Sequence, residues 1–202
     1  MTGAWEEQAA AGGHRMTPAG RLLETKRAVL VVVDLQERLL PAIFEKERVV
    51  KNALLLMKAA ELLGVPVVLT TQYRRGLGEI VPEVVAAAPG VAPLDKLSFG
   101  CFGDEAFLAR LGSLTGREQL LVAGIESHIC VTQTVLGALE HGYHVHVACD
   151  ATSSRSEANW KVGLERMQAA GALISSAEMA LYELLRRSDA LAFKKLLPLL
   201  KS

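Results

Sequence analysis

The sequence contains few cysteines, and they are far apart. Only Cys101, Cys130 and Cys149 occur among 202 residues, and no two of them form a C-x-x-C pair. This odd, widely spaced set excludes a disulfide framework of the kind that staples small secreted domains. We therefore expect free thiols and a reducing, cytoplasmic location.

The chain also lacks net charge and long apolar runs. Lys plus Arg total 22 and Asp plus Glu total 22, so no overall field attracts nucleic acid or an anionic membrane. The longest aliphatic runs, such as AVLVVV, fall far short of the ~20 residues that span a bilayer. The first 20 residues carry two glutamates and no apolar core segment, so we do not expect a signal peptide there. We predict no nucleic-acid partner and no membrane partner.

Glycine motifs for phosphate binding are missing as well. Neither G-x-G-x-x-G nor G-x-x-x-x-G-K-[ST] occurs, which excludes dinucleotide-binding and P-loop sites of those types. The sequence therefore indicates no nucleotide cofactor.

Strand-like and helix-like segments do occur, and they alternate six times along the chain. The strand-like segments are RAVLVVVDLQ, VPVVLTTQY, PLDKLSFGCF, EQLLVAGI, YHVHVACD and ALISS. Alternation of this kind predicts a three-layer α/β/α fold around a doubly wound, six-stranded parallel sheet, as in Rossmann-like proteins. We expect a flexible arm over residues 1–20 and one domain over residues 21–202. We also expect Ser175 and Glu178 to form a capping box at the start of the last long helix.

In such a sheet, ligands bind outside the carboxyl ends of the strands. Asp34, Lys96 and Cys130 all fall at or just after predicted strand ends, and together they supply a base, a cation and a nucleophile. These are the groups that acyl transfer through a thioester requires. A place at the first turn of a helix would also stabilise a Cys130 thiolate, because the N–H groups and the dipole there are positive.

Each of these residues also has a purely structural interpretation. Cys130 is also compatible with a small apolar residue in the core, Asp34 with a helix cap, and Lys96 with a solvated surface charge. His128, two residues before the cysteine, is an alternative base. Cys101 is a packing residue by the simplest interpretation, and a resolving thiol if Cys130 is a redox sensor.

Three blocks of the sequence resemble the isochorismatase-like cysteine hydrolase superfamily, over about residues 27–185. The blocks are VVVDLQERLL, LDKLSFGCF and GIESHICVTQTVLGALEHGYHVHVACDATSSRS. Within that superfamily, the residues of these blocks are most similar to those of the isochorismatase-domain-containing hydrolases, a branch whose natural substrates are largely undefined.

The resemblance implies a site. It places a catalytic triad on Asp34, Lys96 and Cys130, and a non-proline cis peptide between Ile125 and Glu126. It also implies an oxyanion hole that uses backbone N–H groups, including those of Glu126 and Cys130. Further candidates for the substrate pocket are Gln36, Gln72, Tyr73, Phe99 and Thr152.

The sequence departs from the nicotinamidase relatives at their metal site. Those enzymes carry an aspartate and two histidines after the second strand, where this chain reads TTQYRRGLGEIVPEV, with neither residue type. We therefore expect no metal of that kind and no nicotinamide substrate. His144 and His146 point to one face of a strand, and Asp150 follows on that face, but a structural role is the simpler interpretation.

We predict a hydrolase that cleaves a small amide, carbamoyl or related C–N bond through a Cys130 thioester. The alternatives are hydrolysis of a vinyl ether, as in isochorismatase itself, and a non-catalytic binding protein that keeps the fold. The resemblance and the leucine-rich tail LAFKKLLPLL also predict a homo-oligomer, a dimer, a tetramer or a larger assembly.

Overall fold

The computed structural model describes residues 22–200, and the predicted arm over residues 1–20 lies outside this range. Its centre is one sheet of six parallel strands in the order β3-β2-β1-β4-β5-β6. The strands are β1 (Ala28–Val33), β2 (Val67–Gln72), β3 (Leu94–Lys96), β4 (Gln119–Ile125), β5 (His144–Ser153) and β6 (Leu173–Ser175). The predicted fold class is confirmed.

Eight α-helices surround the sheet within the described residues. They are α1 (Lys46–Leu63), α2 (Arg74–Leu77), α3 (Pro82–Ala87), α4 (Glu105–Gly112), α5 (Thr132–Glu140), α6 (Glu157–Ala169), α7 (Ala177–Leu185) and α8 (Leu191–Leu200). The two short helices α2 and α3 were not predicted. They lie in the segment after β2, where glycines and a proline interrupt any long periodic pattern.

The two faces of the sheet carry separate apolar layers. Along β1, Leu30 and Val32 pack with α1, α3 and α7, whereas Val29, Val31 and Val33 pack with α4, α5 and α6. All six residues of β1 are buried. A strand covered on both faces must be apolar at every position, which explains its continuous Val/Leu run.

The strand order reverses between β1 and β4, which are neighbours in the sheet although two strands separate them in sequence. A glycine permits this pair to approach closely at its carboxyl end. Gly124 has φ +115°, and a Cβ there would lie 2.1 Å from the carbonyl oxygen of Val33. The chain thus brings the ends of β1 and β4 together at the switch point, where ligands bind in open parallel sheets.

Helix starts follow local rules, with one correction. Ser156 caps α6 by accepting a hydrogen bond from the N–H of Asn159, and Asp104 caps α4 in the same way. The predicted capping box on Ser175 and Glu178 is wrong, because Ser176 accepts the bond from Met179 and is the N-cap of α7. Ser175 is instead the last residue of β6.

Candidate active site

Asp34 follows β1 directly, and it is completely buried. Its backbone has φ +52°, a left-handed conformation that is uncommon outside glycine but tolerated by aspartate. Thr70 donates a hydrogen bond to Oδ1 at 2.7 Å, and the Lys96 ammonium donates to Oδ2 at 2.7 Å. Both carboxylate oxygens are therefore held by donors, one on β2 and one on β3.

Lys96 is the last residue of β3, and only 2% of it is exposed. A charge so deeply buried needs a partner, and Asp34 supplies the opposite charge. A second acceptor is the side-chain oxygen of Gln72, 3.0 Å from Nζ. The ammonium is thus fixed between the ends of β1 and β2.

Cys130 lies in a five-residue π-helical turn, Ser127–Val131, which joins β4 to α5. Only 6% of the residue is exposed. The negative charge of Asp34 and the positive charge of Lys96 both act on its thiol, so the three side chains lie close together. The structure therefore brings together the three residues that the sequence analysis selected, and their catalytic roles stay a prediction.

The electrostatics of the thiol differ from the expectation. Burial, followed by the negative charge of Asp34, raises the pKa of Cys130 to about 12, while Lys96 acts to lower it. Cys130 does lie in the helical turn that leads into α5, but its pKa is raised and not lowered as expected, because desolvation dominates. The resting thiol is protonated at neutral pH, so attack by sulfur requires a base.

The peptide bond between Ile125 and Glu126 is cis. Beyond it, the carbonyl oxygen of Glu126 accepts the N–H groups of Ile129 and Val131. The Glu126 carboxylate accepts two bonds from Arg155, one from its backbone N–H and one from Nε, each 3.0 Å long. This pair ties the turn before the cysteine to the end of β5.

The five candidate pocket residues occupy different environments. Tyr73 and Phe99 are 48% and 54% exposed, and they flank the site after β2 and β3. Gln72 is mostly buried and contacts Lys96. Gln36 and Thr152 are completely buried, with side chains bonded to backbone atoms of Gln72, Gly78 and Cys149. Burial and these bonds argue against direct substrate contact by Gln36 and Thr152.

The remaining candidates have structural partners. His128 Nδ1 lies 2.9 Å from the hydroxyl of Ser154. His146 faces Glu183 at 3.8 Å, and Asp150 accepts the N–H of Ala177 at the start of α7. In residues 22–200, no cluster of three or more His, Cys, Asp or Glu side chains is arranged to hold a metal ion.

Cys101 is completely buried beside the proposed triad, a position that the sequence alone did not establish. Its backbone N–H donates to Thr134, whose hydroxyl donates to the carbonyl of Cys130. Burial raises the pKa of the Cys101 thiol to about 11. Cys149 is partly exposed, and all three thiols are free.

A separate groove of about 970 Å³ runs along α1. Its described lining includes Leu40, Val50, Leu54 and Val81, but neither Asp34, Lys96 nor Cys130. The groove is therefore distinct from the three-residue cluster. The described part of the chain contains no helix that is both long and apolar enough to cross a membrane.

Comparison with known proteins identifies relatives of this architecture. A family model described as the isochorismatase domain matches residues 28–179. An isochorismatase domain-containing protein 2 from Danio rerio is 37% identical over 92% of this chain and 92% of its own length.

Solved structures agree with this match. A ribonuclease named MAR1 from Caenorhabditis elegans superposes with a TM-score of 0.83 at 31% identity, covering 90% of this chain and 93% of that one. YcaC from Pseudomonas aeruginosa, solved with hexane-2,5-diol and covalent acrylamide, has a TM-score of 0.84 at 28% identity, covering 91% and 93%. The Escherichia coli YcaC gene product, an octameric hydrolase of unknown specificity, has a TM-score of 0.84 at 28% identity, covering 91% and 92%.

Proposed function

This chain belongs to the isochorismatase family, and we propose that it is a cysteine hydrolase acting on a C–N bond of a small amide or carbamoyl compound. The observation that carries the proposal is the buried ion pair of Asp34 with Lys96, with Cys130 close enough for both charges to act on its thiol. A candidate nucleophile, a candidate base and a cation thus lie together at the edge of the sheet where ligands bind in this class of fold.

The first half of the reaction forms a thioester. Asp34 takes the thiol proton of Cys130 while sulfur forms a bond to the substrate carbonyl carbon. Backbone N–H groups of Glu126 and Cys130 stabilise the negative oxygen of the tetrahedral intermediate. The C–N bond then breaks, and the leaving nitrogen takes the proton from Asp34 and departs as ammonia or an amine.

The second half returns the enzyme to its starting state. Water loses a proton to Asp34, and its oxygen attacks the thioester carbon. The C–S bond breaks, sulfur takes the proton back, and the acid product leaves. Lys96 stays positively charged throughout and stabilises Asp34 whenever it is an anion.

The pKa of Cys130 makes Asp34 necessary in this scheme. A thiol with a pKa of about 12 supplies very little free thiolate at pH 7, so proton removal must accompany attack. Among relatives, YcaC from Pseudomonas aeruginosa was solved with covalent acrylamide, which supports the presence of a reactive nucleophile in this group. We retain the cytoplasmic location as part of the proposal, since the three thiols are unpaired.

The Caenorhabditis elegans relative is named a ribonuclease, but cleavage of RNA is a weaker hypothesis for this chain. RNA binding depends on positive charge that neutralises phosphates, and here 22 basic residues are balanced by 22 acidic ones. We also propose a homo-oligomer, because the related Escherichia coli hydrolase is octameric.

The test is the rate of alkylation of each cysteine by iodoacetamide, followed by mass spectrometry against pH. In the wild type we expect Cys130 to react faster than partly exposed Cys149, despite its own burial. In Asp34→Asn we expect its rate near pH 7 to fall about a hundredfold, because the loss of a general base outweighs the lower thiol pKa that follows from removing the negative charge. Equal rates at Cys130 and Cys149, unchanged by Asp34→Asn, would contradict the proposal.

A matched pair of threonines sharpens the test. Thr70 donates to Asp34, while its neighbour Thr71 is equally buried and donates to Asp95 instead. Thr70→Val should slow Cys130 alkylation about tenfold through loss of a hydrogen bond to a charged group. Thr71→Val should leave it unchanged. If the wild type and these variants show the expected alkylation rates, the wild-type protein would then be screened for release of ammonia from small amides and carbamoyl compounds.

A further inference from the structure

Gln72 contacts the proposed triad without joining it. It ends β2, and its side-chain oxygen accepts a hydrogen bond from Lys96 at 3.0 Å. Its side-chain nitrogen donates to the carbonyl oxygen of Leu97 at 2.9 Å. Since that carbonyl can only accept, the orientation of the amide is determined, and its oxygen must face the ammonium.

A second glutamine holds the backbone of the first. Gln36 accepts the N–H of Gln72 at 2.7 Å and donates to the carbonyl oxygen of Gln72 at 3.1 Å. It also donates to the carbonyl oxygen of Gly78 at 2.8 Å. Because Gln36 lies two residues after Asp34, the segment that carries the base also fixes the segment that carries Gln72. Asp34 and Gln72 are thus held in one rigid unit.

Two hydrogen-bond acceptors restrict the orientation of an ammonium group more than one does. Lys96 has three N–H donors, and a single bond to Asp34 would let the group rotate about its Cε–Nζ axis. The second bond, to Gln72, stops this rotation and sets the direction of the third N–H. The amide oxygen is also neutral, so it stabilises Lys96 without placing a second negative charge beside Asp34.

We infer that Gln72 is a positioning residue for Lys96 rather than a contact for the substrate. It fixes the Lys96 ammonium against Asp34. Because the Gln72 amide is neutral, Asp34 remains the one negative charge that the ammonium stabilises. This inference rests on the proposed hydrolase function. It also revises the expectation that Gln72 lines the substrate pocket.

The experiment uses two near-isosteric variants with opposite consequences. Gln72→Met keeps the shape but removes the amide oxygen, while Gln72→Glu keeps an acceptor and adds a charge. Exposed Gln168, on α6, provides the matched control Gln168→Met. The measurement is the rate of Cys130 alkylation by iodoacetamide from pH 5 to pH 10, with circular dichroism as the check on folding.

In Gln72→Met we expect the alkylation rate to fall about tenfold, because the ammonium has lost an acceptor. The same loss makes the charged form of Lys96 less stable, so the alkaline limb of the pH profile should move to lower pH. In Gln72→Glu we expect the acid limb to move up by about one pH unit, because a second carboxylate disfavours ionised Asp34. Gln168→Met should match the wild type. A purely structural role would lower the rate without moving either limb.

The two proposals fail in different ways. If Asp34→Asn changes the wild-type profile but folded Gln72→Met and Gln72→Glu keep it, only the role of Gln72 is overturned. The same holds if both variants lower the rate uniformly. If Asp34→Asn changes nothing, the proposed function is wrong, and the role of Gln72 falls with it.

Discussion

At the scale of single residues, burial decides how the proposed nucleophile behaves. Cys130 has two charged neighbours of opposite sign, and Asp34 raises its pKa while Lys96 lowers it. Desolvation exceeds both, so the pKa rises to about 12. A protonated resting thiol is protected from oxidation, because the thiolate is the form that oxidants attack. In the proposed mechanism it becomes a nucleophile when Asp34 removes its proton.

A second buried residue makes stability depend on pH. Burial lowers the pKa of His146 below its ordinary value of 6.5, although Glu183 acts to raise it. Only 3% of His146 is exposed, and in the described structure its Nε2 has no hydrogen-bond partner. Above about pH 6.5 the side chain is neutral in both the folded and the unfolded state. As pH falls below that value the unfolded chain binds the proton first, so the folded state loses stability.

We therefore predict that the free energy of unfolding decreases as pH falls from 7.5 to 5.0, and that His146→Gln reduces this slope. Urea denaturation at each pH measures it. His144→Gln is the matched control, because His144 lies on the same strand face but is more exposed. Parallel slopes for the wild type and His146→Gln would contradict the prediction.

At the scale of secondary-structure elements, the ends of strands and helices carry most of the specific chemistry. Asp34 and Tyr73 follow β1 and β2 with φ of +52° and +42°. These left-handed turns send the chain out of the sheet. The interiors of β1 and β4, by contrast, are apolar and supply much of the core. The sheet therefore gives rigidity, and its carboxyl edge gives the proposed function.

Helix α7 offers a direct test of one such end. Ser176→Ala should lower the free energy of unfolding by about 1 kcal/mol, because it removes the N-cap bond to Met179. Ser175→Ala should cost clearly less, since its hydroxyl makes only a 3.3 Å bond to the Ser176 carbonyl. Urea denaturation of both variants compares them. A larger cost at Ser175 would show that the cap has been assigned to the wrong serine.

At the scale of the whole molecule, several large apolar side chains remain exposed in the single chain. Leu191 is 79% exposed on α8, and Met179 and Tyr182 are 55% and 46% exposed on α7. Leu97 is 76% exposed directly after Lys96, the last residue of β3, which is the edge strand opposite β6. Exposed apolar side chains that are grouped in this way are typical of association surfaces.

We predict that the purified protein has a mass that is a multiple of the 21.7 kDa chain by light scattering. The leucine-rich tail is the expected contact surface, so Leu191→Asn should lower the mass on dilution. Leu97→Asn is the matched control and should not. A wild-type mass near that of one chain would refute the assembly, and a larger effect at Leu97 would place the contact surface at the β3 edge of the sheet.

The sequence by itself determined the layers of the fold and the identity of the proposed triad. The continuous Val/Leu run of β1 predicts a strand buried on both faces, and alternation with helices predicts a parallel sheet. Asp34, Lys96 and Cys130 became candidates because strand ends converge at one edge of such a sheet, and their selection as a triad came from the resemblance to the isochorismatase-like superfamily. Periodicity and motif blocks are both local features, which a single sequence contains.

Only the tertiary structure decided how these residues interact. The raised pKa of Cys130 depends on desolvation by distant segments, and no sequence spacing reports that. Gln36 and Gln72 are 36 positions apart, and their double hydrogen bond exists only because β1 and β2 are neighbours in the sheet. The helix cap moved from Ser175 to Ser176 because β6 extends through Ser175, which a local capping pattern cannot show.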